Sequence, residues 1–299
     1  MIPIELRPLR YFVAVAEEMH FGRAAARLHM TQPPLSQTIQ ALESQLGAPL
    51  FSRTRRSVAL TAAGRALLPE AQRLLMQAES LPALVQRAAA GESGQLRLAF
   101  VSSADYSVLP VALREFRSAY PAVQIDLREA TSDVQLEELA AGNIDLGILI
   151  PPVPDKLKTI LDYFPVLTEP LVLALPADSK LATTTRKVSL KSCAGLPLII
   201  FPRRLAPALH DQILGCFREA GLTPSIEQEA IQMQTIVSLV AAGMGIALVP
   251  QSVSNLKRPG VEYRALKEAS PLVEIGLAWR RDNTSPVLQS FLHLIQKRH

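Results

Sequence analysis

The sequence predicts an α/β protein in two parts, a small helical domain closed by a β-hairpin and a larger domain of alternating strands and helices, joined by one long helix. Three observations carry this. Residues 4–46 show apolar side chains at helical spacing, and the next fourteen read as two short apolar ends around an arginine-rich centre. From Thr61 the chain becomes alanine- and leucine-rich with a heptad rhythm. From Gln95 onward short apolar runs alternate with amphipathic segments, the pattern of an α/β domain. A length of 299 residues suits two or three domains at roughly 100–200 residues each.

Composition excludes several classes. With 48% hydrophobic and 19% charged residues the chain can build sizeable cores and is not disordered. The longest apolar run, around Ile236–Pro250, is interrupted by Gly243 and Gly245 and is too short to span a bilayer. The opening MIPIELRPLR has no basic start leading into an apolar stretch, so no secretory signal is expected and the cytoplasm is the expected compartment. Cys193 and Cys216 have no metal-ligand spacing and read as packed reduced thiols.

Charge is unevenly placed. The net charge is +4, and residues 1–65 hold eight arginines against four acids, so the first fifth carries the whole excess. No lysine precedes Lys156. Guanidinium forks match phosphate and guanine edges better than ammonium groups do. A solvated basic face is the competing explanation of charge alone.

The N-terminal elements sharpen the choice. Leu6, Leu9, Phe12, Val13 and Ala16 predict a helix over Ile4–Met19, broken by His20-Phe21-Gly22. Arg23–Leu28 reads as a short alanine-rich helix and His29-Met30 as a turn. Thr31 is a candidate N-cap for a helix over Gln32–Leu46, with Pro33 and Pro34 in its first turn and Gly47 as its stop. Two helices joined by a tight turn describe a helix-turn-helix, in which the start of the second helix meets base edges. Here that start offers Thr31, Gln32, Pro33, Pro34, Ser36, Gln37 and Gln40. Glutamine can pair bidentately with adenine, and proline can touch a thymine methyl. Phe21 and Arg23 flank this surface. Leu50–Leu60 predicts a β-hairpin wing with Arg53, Arg55 and Arg56 at or near its tip, placed to reach phosphate or a narrow minor groove.

The run LRYFVAVAEEMHFGRAAARLHMTQPPLSQTIQALESQLGAPLFSRTRRSVALTAAG resembles the LysR-type winged helix-turn-helix almost throughout. The segments AAARLHMTQPPLSQTIQALE and LGAPLFSR follow that pattern closely. The chain departs from it at Gln37, where many members carry Arg. The resemblance implies a transcriptional regulator, commonly an activator working with RNA polymerase, that binds double-stranded promoter DNA as a homodimer or homotetramer and needs no cofactor or metal.

Leu67, Ala71, Leu74, Ala78, Leu81, Val85 and Ala88 form a heptad seam, which favours pairing with a second helix. Leu67, Leu74, Leu81 and Val85 are the expected dimerisation residues, in agreement with the linker helix the resemblance implies. Pro69 and Pro82 predict a bent helix, and Gly91-Glu92-Ser93-Gly94 reads as a hinge. The expected division is thus 1–61 for DNA binding, 62–94 for linker helix and hinge, and 95–299 for the remainder.

Expected strands in that remainder are Gln95–Val101, Val123–Arg128, Asp145–Leu149, Leu171–Leu175, Leu198–Ile200, Ile226–Glu229, Ile246–Val249 and Val273–Ala278. Helices are expected over Leu109–Tyr120, Val134–Ala141, Ala206–Ala220, Met233–Ala242 and Ser285–His299. The resemblance implies a periplasmic-binding-protein-like effector domain of two lobes, 95–165 with 270–299, and 166–269. A ligand would sit between them, near strand ends and helix N-termini. Ser102 and Ser103 follow the first strand in a polar turn, Thr131 follows the second, and Phe201, Pro202 and Arg203 follow a strand of the other lobe. Hydroxyls facing an aromatic ring and a cation suit a small carboxylate, aromatic acids included. LRYFVAVAEE, the strand-Ser-Ser turn and VAAGMGIALVP are similar to stretches in members responding to benzoate, muconate or chlorinated catechol products, and Ser103, Thr131 and Pro202 match their carboxylate contacts by position. Where several of those members have Arg after the IDLG strand, this chain has Ile150.

Nothing points to catalysis. The five histidines lack metal spacing, and no GxSxG, P-loop or GxGxxG follows a strand. A solute-binding protein would explain only the second domain, and an architectural DNA-binding protein only the first.

Overall fold

The computed structural model describes residues 4–53, 57–183 and 186–298. It divides into two compact units, Met1–Gln86 and Arg87–His299.

In the first unit, helices α1 (Leu6–Glu18), α2 (Phe21–Arg27) and α3 (Gln32–Leu46) precede strands β1 (Phe51–Arg53) and β2 (Val58–Leu60) and helix α4 (Ala62–Ala89). Their apolar stripes meet in one core of Leu9, Phe12, Val15, Ala24, Leu35 and Ile39, closed by Phe51 and Ala71. The α2–α3 turn sets His29 at φ +55°, a left-handed conformation in which His is among the few tolerated L residues. Gly47 ends α3 at φ +70°, its N–H returning to the Glu43 and Ser44 carbonyls. Phe21 and Gly22 do not break the chain as expected. They lie inside α2, because the His20 Nδ1 accepts the Arg23 N–H and moves the cap upstream. β1 and β2 pair antiparallel, Phe51 opposite Leu60, which gives the wing. Helix α4 continues through Pro69 and Pro82.

The second unit comprises β3 (Ser93–Phe100), α5 (Ser102–Asp105), α6 (Val108–Ala119), β4 (Ala122–Glu129), α7 (Ser132–Ala141), β5 (Leu146–Leu149), β6 (Leu161–Pro176), β7 (Leu198–Ile200), α8 (Pro207–Glu219), β8 (Ile226–Glu229), α9 (Met233–Ala241), β9 (Ala247–Pro250), β10 (Val261–Ala265), β11 (Leu272–Arg280) and α10 (Pro286–Gln296). The main sheet runs β10-β6-β11-β5-β3-β4, with β9 also on β6. β3 pairs parallel with β4 and β5, whereas β6 and β11 run antiparallel to their neighbours.

Two strands escape the periodicity reading. The 16-residue β6 pairs with β11 through Leu161–Pro170 and with β9 through Leu171–Ala174, so one strand crosses from lobe to lobe. Its first half carries Pro165 and charged groups that hide the pattern. The register places the crossing at 170/171, not 165/166. β10 was masked by its mixed sequence VEYRA, an edge-strand composition. Ser102-Ser103, expected as a turn, opens the short helix α5.

Each lobe has its own core. Leu96, Leu98, Phe116, Leu288 and Phe291 anchor the first, with the Phe116 and Phe291 rings 5.0 Å apart. Leu173, Leu175, Ile213, Phe217, Ile236 and Val249 anchor the second. Cys193 and Cys216 are free and buried there, and burial followed by Glu268 pushes the Cys193 thiol up to about 11. Among the described residues no helix is long and apolar enough to cross a membrane.

Candidate nucleic-acid interface and ligand cleft

Helix α3 buries Leu35, Ile39 and Leu42 and exposes Gln32, Pro33, Pro34, Gln37 and Gln40, with Ser36 half-buried between the two faces. Thr31 occupies the N-cap position but its side chain makes no capping bond. The reason is covalent. A cap accepts from the N–H of the second or third helical residue, and these are Pro33 and Pro34, which have none. The exposed hydroxyl of Thr31 is therefore available to an outside partner.

Phe21 is not on this surface. It is 6% exposed, its ring 5.7 Å from that of Phe51 and covered by the Arg53 guanidinium at 4.5 Å. Apolar area and a cation–π contact hold it as the anchor of the wing. Arg23 is bonded to the Glu18 carboxylate at 3.3 Å and to the Glu18 carbonyl. Arg53 pairs with Glu43 at 3.4 Å. Arg55 and Arg56 lie outside the described residues.

Sequence reasoning missed Glu43. Its Oε1 accepts the backbone N–H groups of Leu50 and Phe51 at 2.8 and 3.1 Å, fixing where the wing leaves the domain. A carboxylate in the last turn of a helix opposes the macrodipole, which was the available signal that it had donors to satisfy.

Along α4, Leu67 is packed against the core of its own unit and Ala71 is fully buried in it. Leu67 is thus part of the helix-turn-helix core and not of a free seam. Leu74, Leu81 and Val85 are exposed, as are Met76 and Leu84.

In the second unit a cavity of about 460 Å³ opens where both lobes present loops and helix starts. It brings together Ser102, Ser103 and Thr131 from one lobe and Phe201 from the other. Pro202 and Arg203 do not line it. Pro202 is buried, and Arg203 points elsewhere because both guanidinium arms bind Asp211 at 2.8 Å. That pair, with a His210 contact, holds the Asp211 carboxyl down at about 2.

The cavity wall contains the first turns of α7, α8 and α9, and helix N-termini favour an anion. The Ser102 Oγ accepts the Met233 N–H at the start of α9. Ser132 accepts the Ile150 N–H at 3.0 Å and so ties α7 to the end of β5. Ser103 is 1% exposed, and its Oγ has no hydrogen-bond partner among the described residues. Leu136, Ile150, Leu209 and Met233 supply apolar wall. Three carboxylates, Glu129, Asp133 and Glu137, and one lysine, Lys156, also line it. Sequence reasoning missed all four, although Asp133 and Glu137 are spaced to share one face of α7. Among the described residues no cluster of His, Cys, Asp and Glu could hold a metal.

A winged helix-turn-helix followed by a long helix and a two-lobed α/β body with an internal cleft defines a regulator that joins a DNA reader to a small-molecule receptor. The chain belongs to the LysR family of transcriptional regulators. Residues 6–65 match the bacterial regulatory helix-turn-helix of the lysR family, and residues 89–299 match the LysR substrate binding domain. The HTH-type transcriptional regulator IlvR of Caulobacter vibrioides is 49% identical over 98% of this chain and 97% of its own length. The regulator AlsR of Bacillus subtilis is 43% identical over 97% and 95%. The crystal structure of full-length CbnR complexed with its target DNA has a TM-score of 0.83 at 31% identity, covering 98% of this chain and 99% of that one. The protein is a DNA-binding transcriptional regulator and not an enzyme.

Proposed function

We propose that this regulator is a cytoplasmic homotetrameric activator that recruits RNA polymerase, and that a small carboxylate in the cleft between its lobes controls it. The observation that carries the ligand reading is Ser103, a buried hydroxyl without a partner among the described residues, in a cavity lined by helix N-termini. A carboxylate would accept from Ser103, Ser102 and Thr131 and pack against Phe201. Residues 1–61 are the DNA reader, 62–94 the linker helix and hinge, and 95–299 the receptor. Thr31, Gln32, Pro33, Pro34, Ser36, Gln37 and Gln40 meet the major groove, and Arg53, Arg55 and Arg56 meet phosphate or the minor groove.

Linker helices pair through Leu74, Leu81 and Val85, so two winged domains bind half-sites an integral number of helical turns apart. The ligand acts by binding two arrangements of the assembly unequally, since equal binding would shift nothing. A gel shift on the DNA upstream of the gene, with footprints in the presence and absence of a stabilising carboxylate, tests this. Retardation with a ligand-dependent footprint is expected. Failure to bind at low salt overturns the DNA reading, and identical footprints overturn the switch.

A further inference from the structure

We propose that the ligand is a zwitterion, an α-amino acid with an apolar side chain, its carboxylate at Ser103 and its ammonium at Glu129. The proposal rests on the carboxylate reading above and adds a second charge to it.

The wall carries three acids, Glu129, Asp133 and Glu137, against the single cation Lys156. None of the three acids has an ion-pair partner among the described residues. Two cations close in sequence to the wall are paired elsewhere, Arg128 with Glu138 at 3.5 Å and Arg203 with Asp211. Position singles out Glu129. It ends β4 two residues before Thr131, and it registers with Phe100, two residues before Ser102. It therefore sits where β3 and β4 end side by side, just before both hydroxyl-bearing turns, and it lines the cavity they open into. Burial, and then Asp105, push this carboxyl above its usual range, as expected of an acid lacking a counter-charge.

A ligand with only a carboxylate would enter a cavity with an excess of negative charge. A ligand with only an amine would leave the Ser103 hydroxyl unmatched and bring no anion to the helix N-termini. An α-amino acid places both charges on one carbon and satisfies both ends. Leu136, Ile150, Phe201, Leu209 and Met233 then surround its side chain, which selects an apolar one.

The test uses the full chain in thermal-shift and calorimetric titrations with three matched sets. These are L-leucine, L-isoleucine and L-phenylalanine; their deamino acids 4-methylpentanoate, 3-methylpentanoate and 3-phenylpropanoate; and the amines 3-methylbutylamine, 2-methylbutylamine and 2-phenylethylamine. At least one amino acid is expected to bind about tenfold tighter than both of its truncated forms, the size of one charged hydrogen bond. Glu129→Gln is expected to reduce that amino acid to the affinity of its deamino acid, while Glu129→Asp keeps part of the preference. Should the Gln variant fail to fold, the wild-type ratio alone decides. Equal or tighter binding of every deamino acid, or no binding by any amino acid, overturns the proposal, as does an unchanged preference in folded Glu129→Gln. Deamino acids that bind and lose affinity in Ser103→Ala would leave the carboxylate reading standing. Binding by the amines alone would overturn both.

Discussion

Ser102 and Met233 belong to different lobes, yet the Ser102 Oγ accepts the Met233 backbone N–H across the cleft at 3.4 Å. That N–H opens α9 and has no partner within the helix. The bond is long for its type, and a carboxylate is a stronger acceptor than a hydroxyl. An entering carboxylate can therefore take over a donor that now links the lobes, which connects occupancy of the cleft to lobe geometry.

Adjacent serines should respond oppositely to truncation. Ser102→Ala removes an acceptor from a helix N-terminus and is expected to cost about 1 kcal/mol. Ser103→Ala removes a buried hydroxyl that has no hydrogen-bond partner among the described residues and is expected to leave stability unchanged or raise it by about 1 kcal/mol, while weakening carboxylate binding roughly tenfold. Urea unfolding with ligand titration checks both. A large destabilisation by Ser103→Ala would show that the hydroxyl is a structural bond donor.

Gly64 marks where α4 meets the wing. A Cβ there would lie 2.2 Å from the Leu50 carbonyl oxygen and 2.8 Å from Leu60 Cδ2. The same corner is tied by Thr61, which donates to the Pro49 carbonyl at 2.6 Å and accepts the Gly64 N–H at 3.0 Å. Gly64→Ala should cost about 1–3 kcal/mol through overpacking against backbone, lowering the unfolding transition of the first unit alone. Calorimetry that leaves the second transition in place while DNA binding falls would match this. A native-like first transition would mean the wing can move aside.

The helix-turn-helix was legible because its signals are local. The stripe Leu35, Ile39, Leu42, the prolines of the first turn and Gly47 fix Gln32–Leu46 without tertiary information. The cleft was legible only in part. Ser102, Ser103, Thr131 and Phe201 follow strands and so fall at one edge, a topological inference. Arg203 could not be excluded that way, because its orientation depends on Asp211, eight residues on in another element. The acids Glu129, Asp133 and Glu137 are exposed, and only the tertiary fold brings them to the wall of one cavity. Phe21 misled because an aromatic beside a reading helix looks like a contact, whereas Phe51 and Arg53 claim its ring.

Gln32 tests whether α3 reads bases. Gln32→Ala should lose ~1–3 kcal/mol on the specific site with little change on random DNA, if the amide pairs bidentately. Arg55→Ala should weaken binding to all sequences and lower the salt slope by about one. Equal loss on both DNAs for Gln32→Ala would remove it from the reading surface.

The exposed stretch of α4 tests the assembly. Leu81, Leu84 and Val85 are each more than half exposed within the chain, an arrangement that favours a second helix as cover. Leu81→Lys with Val85→Lys should shift sedimentation to smaller species without lowering the stability of the isolated fold, because neither residue is buried in it. Unchanged sedimentation would place the interface elsewhere.

Acid stability should depend on Asp145. Its carboxylate bridges β3 and β5, accepting from the Arg97 backbone N–H at 2.9 Å and from its guanidinium at 2.8 Å. Burial pushes this carboxyl up, but the Arg97 hydrogen bonds outweigh it and the net shift is downward. A carboxyl depressed in the folded state stabilises the fold above its unfolded pKa of about 3.9, and that contribution disappears as pH falls through the lower folded value. Asp145→Asn should therefore cost about 1–2 kcal/mol at pH 7, a range discounted because Arg97 is 40% exposed and screened by solvent. Below pH about 3.9 the wild type loses this advantage and the two unfolding curves should converge. Urea midpoints that stay equally separated from pH 7 down to acid would show that packing around Asp145, and not its charge, holds the strands together.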